Sequence, residues 1–178
     1  MNHLPSPDVG VKSAASMRIS SMAMSEVDAV GKLAKDCGFH VDMVQESARS
    51  FAHVWVARLD SESKSPDAFL LAWQAADAMD IIALGTACAS RRLGLAKALV
   101  TELLQFSVNN QMRHLLLEVR SSNTVAIQLY QAFGFQAGRI REAYYSEPTE
   151  DGIEMSCAVD NLVCAKSAAD ARNLETRV

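Results

Sequence analysis

Residues 114–135 read HLLLEVRSSNTVAIQLYQAFGF, a pattern that predicts a strand, a turn and a helix in succession. The strand is predicted over residues 114–119, because a short apolar run suits a strand, and the helix over residues 123–133. Consecutive leucines place apolar side chains on both faces of the strand, which predicts a strand inside the sheet that is covered on both sides. A strand followed by a helix in this way favours an α/β fold.

The flanking sequence predicts further elements on both sides of this unit. Residues 93–106 carry leucines at helical spacing, which predicts an amphipathic helix. A capping-box pattern at Ser25 and Asp28 predicts the start of another helix, which Gly38 ends. The predicted order is β-α-α-β-β-β-α-β-α-β-β. Strands predicted at 51–59, 68–74 and 79–86 are joined by short links and form an antiparallel meander. Further strands are predicted at 17–20, 135–145 and 153–159, and a weak helix at 42–48.

The composition is that of an ordinary globular protein. The chain has 178 residues, 49% of them apolar and 21% charged, which excludes wholesale disorder. A net charge of -4 argues against a general nucleic-acid-binding protein. The apolar runs are far shorter than the roughly 18 residues that a membrane span needs. Four cysteines without metal-binding spacing predict reduced thiols and no zinc site, and they are Cys37, Cys88, Cys157 and Cys164.

The chain length predicts one domain with a short segment at each end. We expect a flexible lead-in over residues 1–15, which mix Pro, Ser and Gly, and a domain over residues 16–160. Residues 161–178 are alanine-rich and charged and are interpreted as a C-terminal tail. No basic segment followed by an apolar one opens the chain, so no secretory signal is predicted and a cytoplasmic location is expected.

Residues 91–97 (RRLGLAK) stand between a predicted strand and a predicted helix. The free amides of a helix N-terminus and its macrodipole favour phosphate, Gly94 permits close backbone approach, and three cationic side chains add positive charge. The pattern is weak by itself and lacks the Walker and Rossmann glycine spacings. A phosphate-binding turn and an ordinary basic helix start are equally compatible with it.

Glu118 interrupts the apolar strand at 114–119. An ionised carboxylate there is costly unless it is paired or solvated. One expectation is that Glu118 forms an ion pair, and Arg120 on the same face of the strand is a candidate partner. The other is that Glu118 lies at the open end of the strand, where catalytic residues of α/β folds are found. A salt-bridged structural glutamate is the competing interpretation.

Five motifs in order resemble the GNAT acetyltransferase superfamily. Residues 123–135 read NxxAxxLYxxxGF, and residues 91–96 read RRLGLA. LEVRSSN at 117–123, REAYY at 141–145 and EDGIEM at 150–155 are similar to motifs of the bacterial ribosomal-protein alanine N-acetyltransferase (RimI) family. The resemblance is strong from residue 79 to residue 155. It implies the GNAT fold, a mixed α/β sheet of about seven strands flanked by about four helices.

The resemblance also implies roles for individual residues. Glu118 matches the family's general base, Tyr130 its general acid and Asn123 its coenzyme A-contacting asparagine, although an asparagine there also suits a helix N-cap. Tyr144 and Tyr145 match aromatic residues that line the substrate site, and a core or surface role stays open for both. Acetyl-CoA is the implied co-substrate, with no metal. The implied cofactor-binding residues are Leu84, Gly85, Thr86, Arg91, Arg92, Leu93, Gly94, Leu95, Ala96, Lys97 and Asn123.

The implied reaction is direct transfer of an acetyl group, in a ternary complex, to the α-amine of a protein N-terminus. The alanine terminus of ribosomal protein S18 is one candidate acceptor, and neither nucleic acid nor a membrane is an expected partner. The alternatives are a GNAT enzyme acting on a small amine (a polyamine, amino acid or drug) and a non-catalytic acyl-CoA-binding module. Residues 37–42 (CGFHVD) lack the family's usual Trp-Ser element, and this departure affects the acceptor rather than the cofactor.

Overall fold

The computed structural model describes residues 17–60, 63 and 65–160, so the expected lead-in and tail lie outside the described residues. Among the residues described, no helix is long and apolar enough to cross a bilayer. The strands are β1 (Arg18–Ser21), β2 (Ala52–Arg58), β3 (Ala68–Ala75), β4 (Ala78–Thr86), β5 (His114–Arg120), β6 (Gln136–Ser146) and β7 (Thr149–Ala158). The helices are α1 (Val27–Asp36), α2 (Met43–Ser47), α3 (Leu95–Asn109) and α4 (Thr124–Ala132), with 3-10 turns at Met24–Glu26 and Cys88–Ser90.

The seven strands form one mixed sheet in the order β1-β2-β3-β4-β5-β7-β6, which confirms the predicted fold class and element order. Strands β2, β3 and β4 form the predicted antiparallel meander. The start of α1 was predicted wrongly, because Ser25 lies in a 3-10 turn and the carboxylate of Glu26 accepts the backbone N–H of Ala23 at 2.7 Å. Gly38, with φ +86°, follows the end of α1 as predicted.

Strands β4 and β5 run parallel but remain paired for only four residues. Ala78 to Ile81 of β4 pair with His114 to Leu117 of β5, although β4 continues to Thr86 and β5 to Arg120. The register of β4 against β3 also shifts next to Ile82, a β-bulge that bends the strand. The carboxyl ends of the two strands therefore separate, and the backbone of β4 beyond Ile81 has no β5 partner.

Two apolar layers cover the sheet unequally. Helices α1 and α2 pack on β2, β3 and β4 through a cluster that includes Val30, Met43 and Phe69. Helices α3 and α4 cover the opposite face through a larger cluster that includes Leu99 and Tyr130 and extends across β5 and β7. Within residues 17–160, no helix therefore covers one face of β5, β7 and β6.

This uncovered face corrects the prediction that β5 is buried on both sides. Leu115, Leu117 and Val119 are buried, whereas His114 is exposed and Leu116 retains 40% exposure. The reason is that α1 and α2 end over β4 and do not extend to β5, so alternate residues of β5 face solvent. Glu118 lies on this side of the strand and escapes the cost of full burial.

Candidate active site

A cleft of about 680 Å³ opens between the separated ends of β4 and β5. Residues 37–40, which follow α1, line it from one side, and residues 144–147 of the β6–β7 hairpin line it from another. Thr86 and residues 91–97 are outside its lining. The predicted site residues that do line it are Leu84, Glu118, Asn123, Tyr130, Tyr144 and Tyr145.

The carboxylate of Glu118 bonds to two side chains of β6. Arg141 Nη1 forms an ion pair with Oε1, and the Tyr144 hydroxyl donates to Oε2. The bond to this carboxylate raises the pKa of the Arg141 guanidinium and the pKa of the Tyr144 phenol. The Glu118 side chain is 31% exposed and stays accessible from the cleft. Arg141 is therefore its ion-pair partner, and the suggested pairing with Arg120 is wrong.

Arg120 instead holds the turn between β6 and β7. Its Nη2 donates to the Glu147 carbonyl at 3.0 Å, and its Nη1 donates to the Pro148 carbonyl at 3.2 Å and to Glu150 Oε2 at 3.3 Å. The same guanidinium lies 4.2 Å from the centroid of the Tyr145 ring. A planar guanidinium with five donors suits this arrangement, which fixes the hairpin beside the cleft.

Glu150 connects this hairpin to the residues before α4. Its Oε1 accepts the backbone N–H of Ser122 at 2.6 Å and the hydroxyl of Ser121 at 3.2 Å. The backbone N–H of Ser122 is the main cause that lowers the pKa of Glu150 to about 2. The ionised carboxylate therefore joins the end of β5 to the hairpin near neutral pH.

Tyr144 crosses β7 at Gly152, where no side chain obstructs it. A Cβ built on Gly152 would lie 2.9 Å from Tyr144 Cδ1 and 3.2 Å from Tyr144 Cβ, so the ring rests directly on the glycine. Arg141 pairs with Gly152 in the strand register, and its guanidinium lies 4.1 Å from the Tyr144 ring centroid. This glycine therefore lets two side chains of β6 extend to Glu118 on β5.

Tyr130 enters the cleft from the opposite face of the sheet. It is only 6% exposed, and its ring packs against Phe135 with centroids 5.4 Å apart. Burial is the main cause that raises the pKa of its phenol, with the nearby Tyr145 adding to the effect. The phenol therefore remains protonated at neutral pH.

Asn123 has the capping role that its position suggested. Its side-chain oxygen accepts the backbone N–H of Ala126 at 3.2 Å at the start of α4. The cap engages the oxygen, so the amide –NH₂ is the part left to donate to a ligand in the cleft.

The turn before α3 presents backbone donors at a helix N-terminus. Gly94 occupies the N-cap with φ +85°, and no side chain of the described residues caps this helix. Arg92 also has positive φ, at +62°, and such turns direct successive N–H groups into one concavity that suits an anion. Arg91 and Lys97 are exposed beside it. Leu95 is 1% exposed in the core, so only its backbone can serve a ligand.

The end of β4 is partly committed to internal contacts. The Thr86 carbonyl accepts Arg91 Nε at 3.4 Å and the Cys37 thiol at 3.6 Å. A Cβ on Gly85 would lie 2.4 Å from Phe69 Cε1, so this glycine is required by the core beneath the strand. Of the predicted β4 residues, Leu84 is therefore best placed to offer its backbone to a ligand.

Asp67 connects this region to the turn before α3. Its Oδ1 accepts the hydroxyl of the buried Ser90 at 2.6 Å, and its Oδ2 accepts the backbone N–H of Leu59 at 2.9 Å. Its carbonyl accepts the N–H of Ala87 at 2.8 Å. Asp67 thus forms hydrogen bonds with the residues that follow β2 and β4 and with Ser90, which precedes Arg91.

The elements from α1 to α4 lie within the range that a known family model matches, and β6 and β7 follow that range. The model of the acetyltransferase (GNAT) family matches residues 27–135, more than half of the chain. The chain is a member of the GNAT acetyltransferase family.

Curated proteins are similar to part of this chain. The [ribosomal protein bS18]-alanine N-acetyltransferase of Escherichia coli is 44% identical over 64 residues, which are 36% of this chain and 42% of that protein. The Haemophilus ducreyi protein of the same name is 39% identical over 66 residues, which are 37% of this chain and 44% of that protein. The aligned segment thus spans less than half the length of these relatives.

Solved GNAT structures share the fold over a longer range. The crystal structure of the Escherichia coli ribosomal-protein-S18-alanine N-acetyltransferase has a TM-score of 0.72, at 23% identity, over 81% of this chain and 94% of that chain. Arabidopsis thaliana NAA60 in complex with acetyl-CoA has a TM-score of 0.71, at 18% identity, over 82% of this chain and 99% of that chain. At these identities the likeness concerns the fold.

Sequence analysis missed three residues that organise this GNAT site. Arg141 stood in a quoted motif, REAYY, but received no role, and Gly152 and Asp67 received none either. The motif was the available signal for Arg141. The other two act through contacts between residues distant in the sequence, and no local pattern marks such contacts.

Proposed function

We propose that this protein is an acetyl-CoA-dependent N-acetyltransferase that acts on the α-amine of a protein N-terminus. The observation that carries the proposal is the convergence of Glu118 from β5 and Tyr130 from α4 on the cleft between β4 and β5. The two groups enter from opposite faces of the sheet. A base and an acid on either side of a cleft suit a reaction in which an amine loses a proton and a thiolate gains one.

Glu118 is the proposed general base. An α-amine has a pKa of about 8 and a lysine side chain one of about 10.4, so far more of an N-terminal amine is neutral at pH 7. The exposed part of the Glu118 carboxylate takes the remaining proton, directly or through one water. Tyr144 donates to Oε2 and orients the carboxylate, so Oε1, which Arg141 contacts in this structure, is the oxygen that receives the amine.

Tyr130 is the proposed general acid. Its raised pKa keeps the proton on the phenol until the departing thiolate requires it. Its packing against Phe135 fixes the ring in one position beside the cleft. A buried donor that is already in place needs little reorganisation when charge develops on the sulfur.

The turn before α3 is the proposed site for the pyrophosphate of acetyl-CoA, which supplies the thioester for the reaction. Gly94 and the uncapped N-terminus of α3 offer backbone N–H groups, and Arg91, Arg92 and Lys97 add positive charge. The backbone of β4 near Leu84, which pairs with β3 but not with β5, offers hydrogen bonds to the pantetheine arm and to the thioester carbonyl on its β5 side.

Direct transfer is favoured over a covalent enzyme intermediate. Cys37 carries the thiol on the cleft lining. Burial raises the pKa of this thiol, and its Sγ is directed at the Thr86 carbonyl. A protonated and half-buried thiol is a weak nucleophile. The amine therefore attacks the thioester itself while both substrates are bound.

The test is thiol release from acetyl-CoA with peptides starting with Ala, Ser, Gly or Met, with N-terminally blocked lysine peptides, and with small amines. We expect turnover only with free N-termini, and an alanine-first preference would identify ribosomal protein S18 as a candidate acceptor. Turnover with small amines alone would move the function to that class. Binding of acetyl-CoA without turnover on any acceptor would favour a binding module.

Two variants test the residue roles. Glu118→Gln and Tyr130→Phe should each lower kcat by roughly 10²- to 10⁴-fold, the usual contribution of acid–base catalysis, while acetyl-CoA still binds. Glu142→Gln, an exposed carboxylate on β6, is the matched control. Normal turnover by both variants would refute the assignment.

A further inference from the structure

Arg141 lies between two carboxylates on the uncovered face of the sheet. Its Nη1 contacts Glu118 Oε1, and its Nε lies 3.8 Å from Glu154 Oε1. Glu118 and Glu154 are direct partners in the register of β5 and β7. Like charges in such a cross-strand pair repel each other, so one guanidinium serves as the counter-ion of both. We call Glu118, Arg141 and Glu154 the Arg141 bridge.

The Arg141 bridge occupies the position that the acceptor must reach. The acceptor amine arrives mostly as an ammonium at neutral pH, and it needs the same oxygen of Glu118 that Arg141 now contacts. Two cations at one carboxylate oxygen repel each other. Arg141 therefore has to leave Glu118 before the amine can be deprotonated there.

The structure also offers Arg141 a second position. Its side chain is 40% exposed, and Glu154, also 40% exposed, is already within ion-pair distance of Nε. Exchange of one half-exposed ion pair for another costs little, because solvent screens both pairs. The guanidinium can therefore move onto Glu154 by a short displacement on the same face of the sheet.

We propose that Arg141 is a positioning residue that holds Glu118 in the free enzyme until the acceptor amine replaces it, and that Glu154 receives the displaced guanidinium. This inference rests on the proposed function. In the free enzyme Arg141 keeps the Glu118 carboxylate ordered and balances its charge. The acceptor amine then competes with the Arg141 guanidinium for this carboxylate.

Steady-state kinetics with an N-terminal peptide at saturating acetyl-CoA test the exchange. Arg141→Gln should lower the acceptor KM about two- to fivefold, since the competing cation is gone. Glu154→Gln should raise the acceptor KM by a similar factor with kcat retained, since Arg141 loses its second position. The KM for acetyl-CoA should stay unchanged in both variants.

A double variant separates this mechanism from a general charge effect. In the Arg141→Gln background, Glu154→Gln should have no further effect on the acceptor KM, because its effect acts through Arg141. Arg139→Gln and Glu142→Gln, exposed residues of the same strand, are the charge-matched controls and should behave like wild type. Any one of three results would overturn the inference. They are a raised acceptor KM in Arg141→Gln, equal effects on the acceptor KM in the controls, and a Glu154→Gln effect that persists in the double variant.

A second readout needs no turnover. If the wild type acetylates none of the acceptors, the proposed function fails, and the Arg141 bridge is then tested by NMR of ¹⁵N-labelled arginine side chains. Glu118→Gln should shift the Arg141 Nε signal as the guanidinium moves to Glu154, and Glu154→Gln should shift it differently. An Arg141 signal that is unchanged in Glu118→Gln would overturn the inference.

Discussion

Substitution of Gly152 by Ala adds a methyl group where Tyr144 crosses β7. The new Cβ would lie 2.9 Å from Tyr144 Cδ1, 3.2 Å from Tyr144 Cβ and 3.3 Å from Tyr144 Cγ. Carbon atoms in contact normally lie about 3.5–4.0 Å apart, so the ring has to move by roughly 0.6–1 Å. Rotation of the ring relieves the contact with Cδ1 but not the contact with Cβ, so β6 itself has to shift by a few tenths of an ångström.

The expected effect of this shift is larger on activity than on stability. Tyr144 is 41% exposed and its ring can move into solvent, so we expect a loss of about 1 kcal/mol, the low end of the range for overpacking. The displaced hydroxyl no longer reaches Glu118 Oε2. Hydrogen bonds to charged groups contribute about 1.5–3 kcal/mol, and the lower value corresponds to roughly a tenfold loss of kcat/KM for the acceptor.

The assay is thiol release with an N-terminal peptide, accompanied by thermal unfolding of each variant. Gly138→Ala is the matched control, because a Cβ there would meet only the Glu154 carbonyl, at an ordinary 3.5 Å. Tyr144→Phe should reproduce the activity loss, and Gly152→Ala should add nothing to it in a double variant. Equal losses in both alanine variants, or losses that multiply in the double variant, would refute the reasoning.

Three further predictions concern the turn before α3 and the hairpin. Gly94→Ala and Gly38→Ala should each lower the free energy of unfolding by about 1–2 kcal/mol, because the backbone φ is +85° at Gly94 and +86° at Gly38. Calorimetric titration should show weaker acetyl-CoA binding only for Gly94→Ala. Ser90→Ala removes the hydroxyl that donates to Asp67 Oδ1, so denaturant unfolding should show a loss of about 1.5–3 kcal/mol of stability. The same variant should bind acetyl-CoA more weakly, and unchanged binding would contradict the role of this contact. The pKa of Glu150 is lowered to about 2 in the folded protein, so its stabilising contribution is present above its unfolded pKa of about 4.5 and is lost as pH falls toward 2. Glu150→Gln should therefore flatten this part of the stability profile in acid-unfolding measurements.

Local patterns predicted the elements well because each element has its own periodicity and end signals. The leucine spacing of α3, the apolar run of β5 and the positive-φ Gly38 all act within a few residues of sequence. The start of α1 was missed because a 3-10 turn begins earlier, after Ala23, where the Glu26 carboxylate accepts the Ala23 amide and Ser25 lies inside the turn. The prediction of a β5 covered on both sides failed because burial depends on how far α1 and α2 extend, which no residue of β5 encodes.

The sequence by itself determined the α/β fold, the basic segment before α3 and the carboxylate in an apolar strand. All three depend on neighbours in the chain, so short-range physics identifies them. The tertiary structure alone decided that Arg141, not Arg120, pairs with Glu118, because that pairing requires β6 to lie beyond β7 and Gly152 to lie between them. It also decided that Asp67 supports the turn through Ser90. Contacts of this kind depend on the register of neighbouring strands and on positions such as Gly152 that have no side chain. Neither can be recognised from a short stretch of sequence.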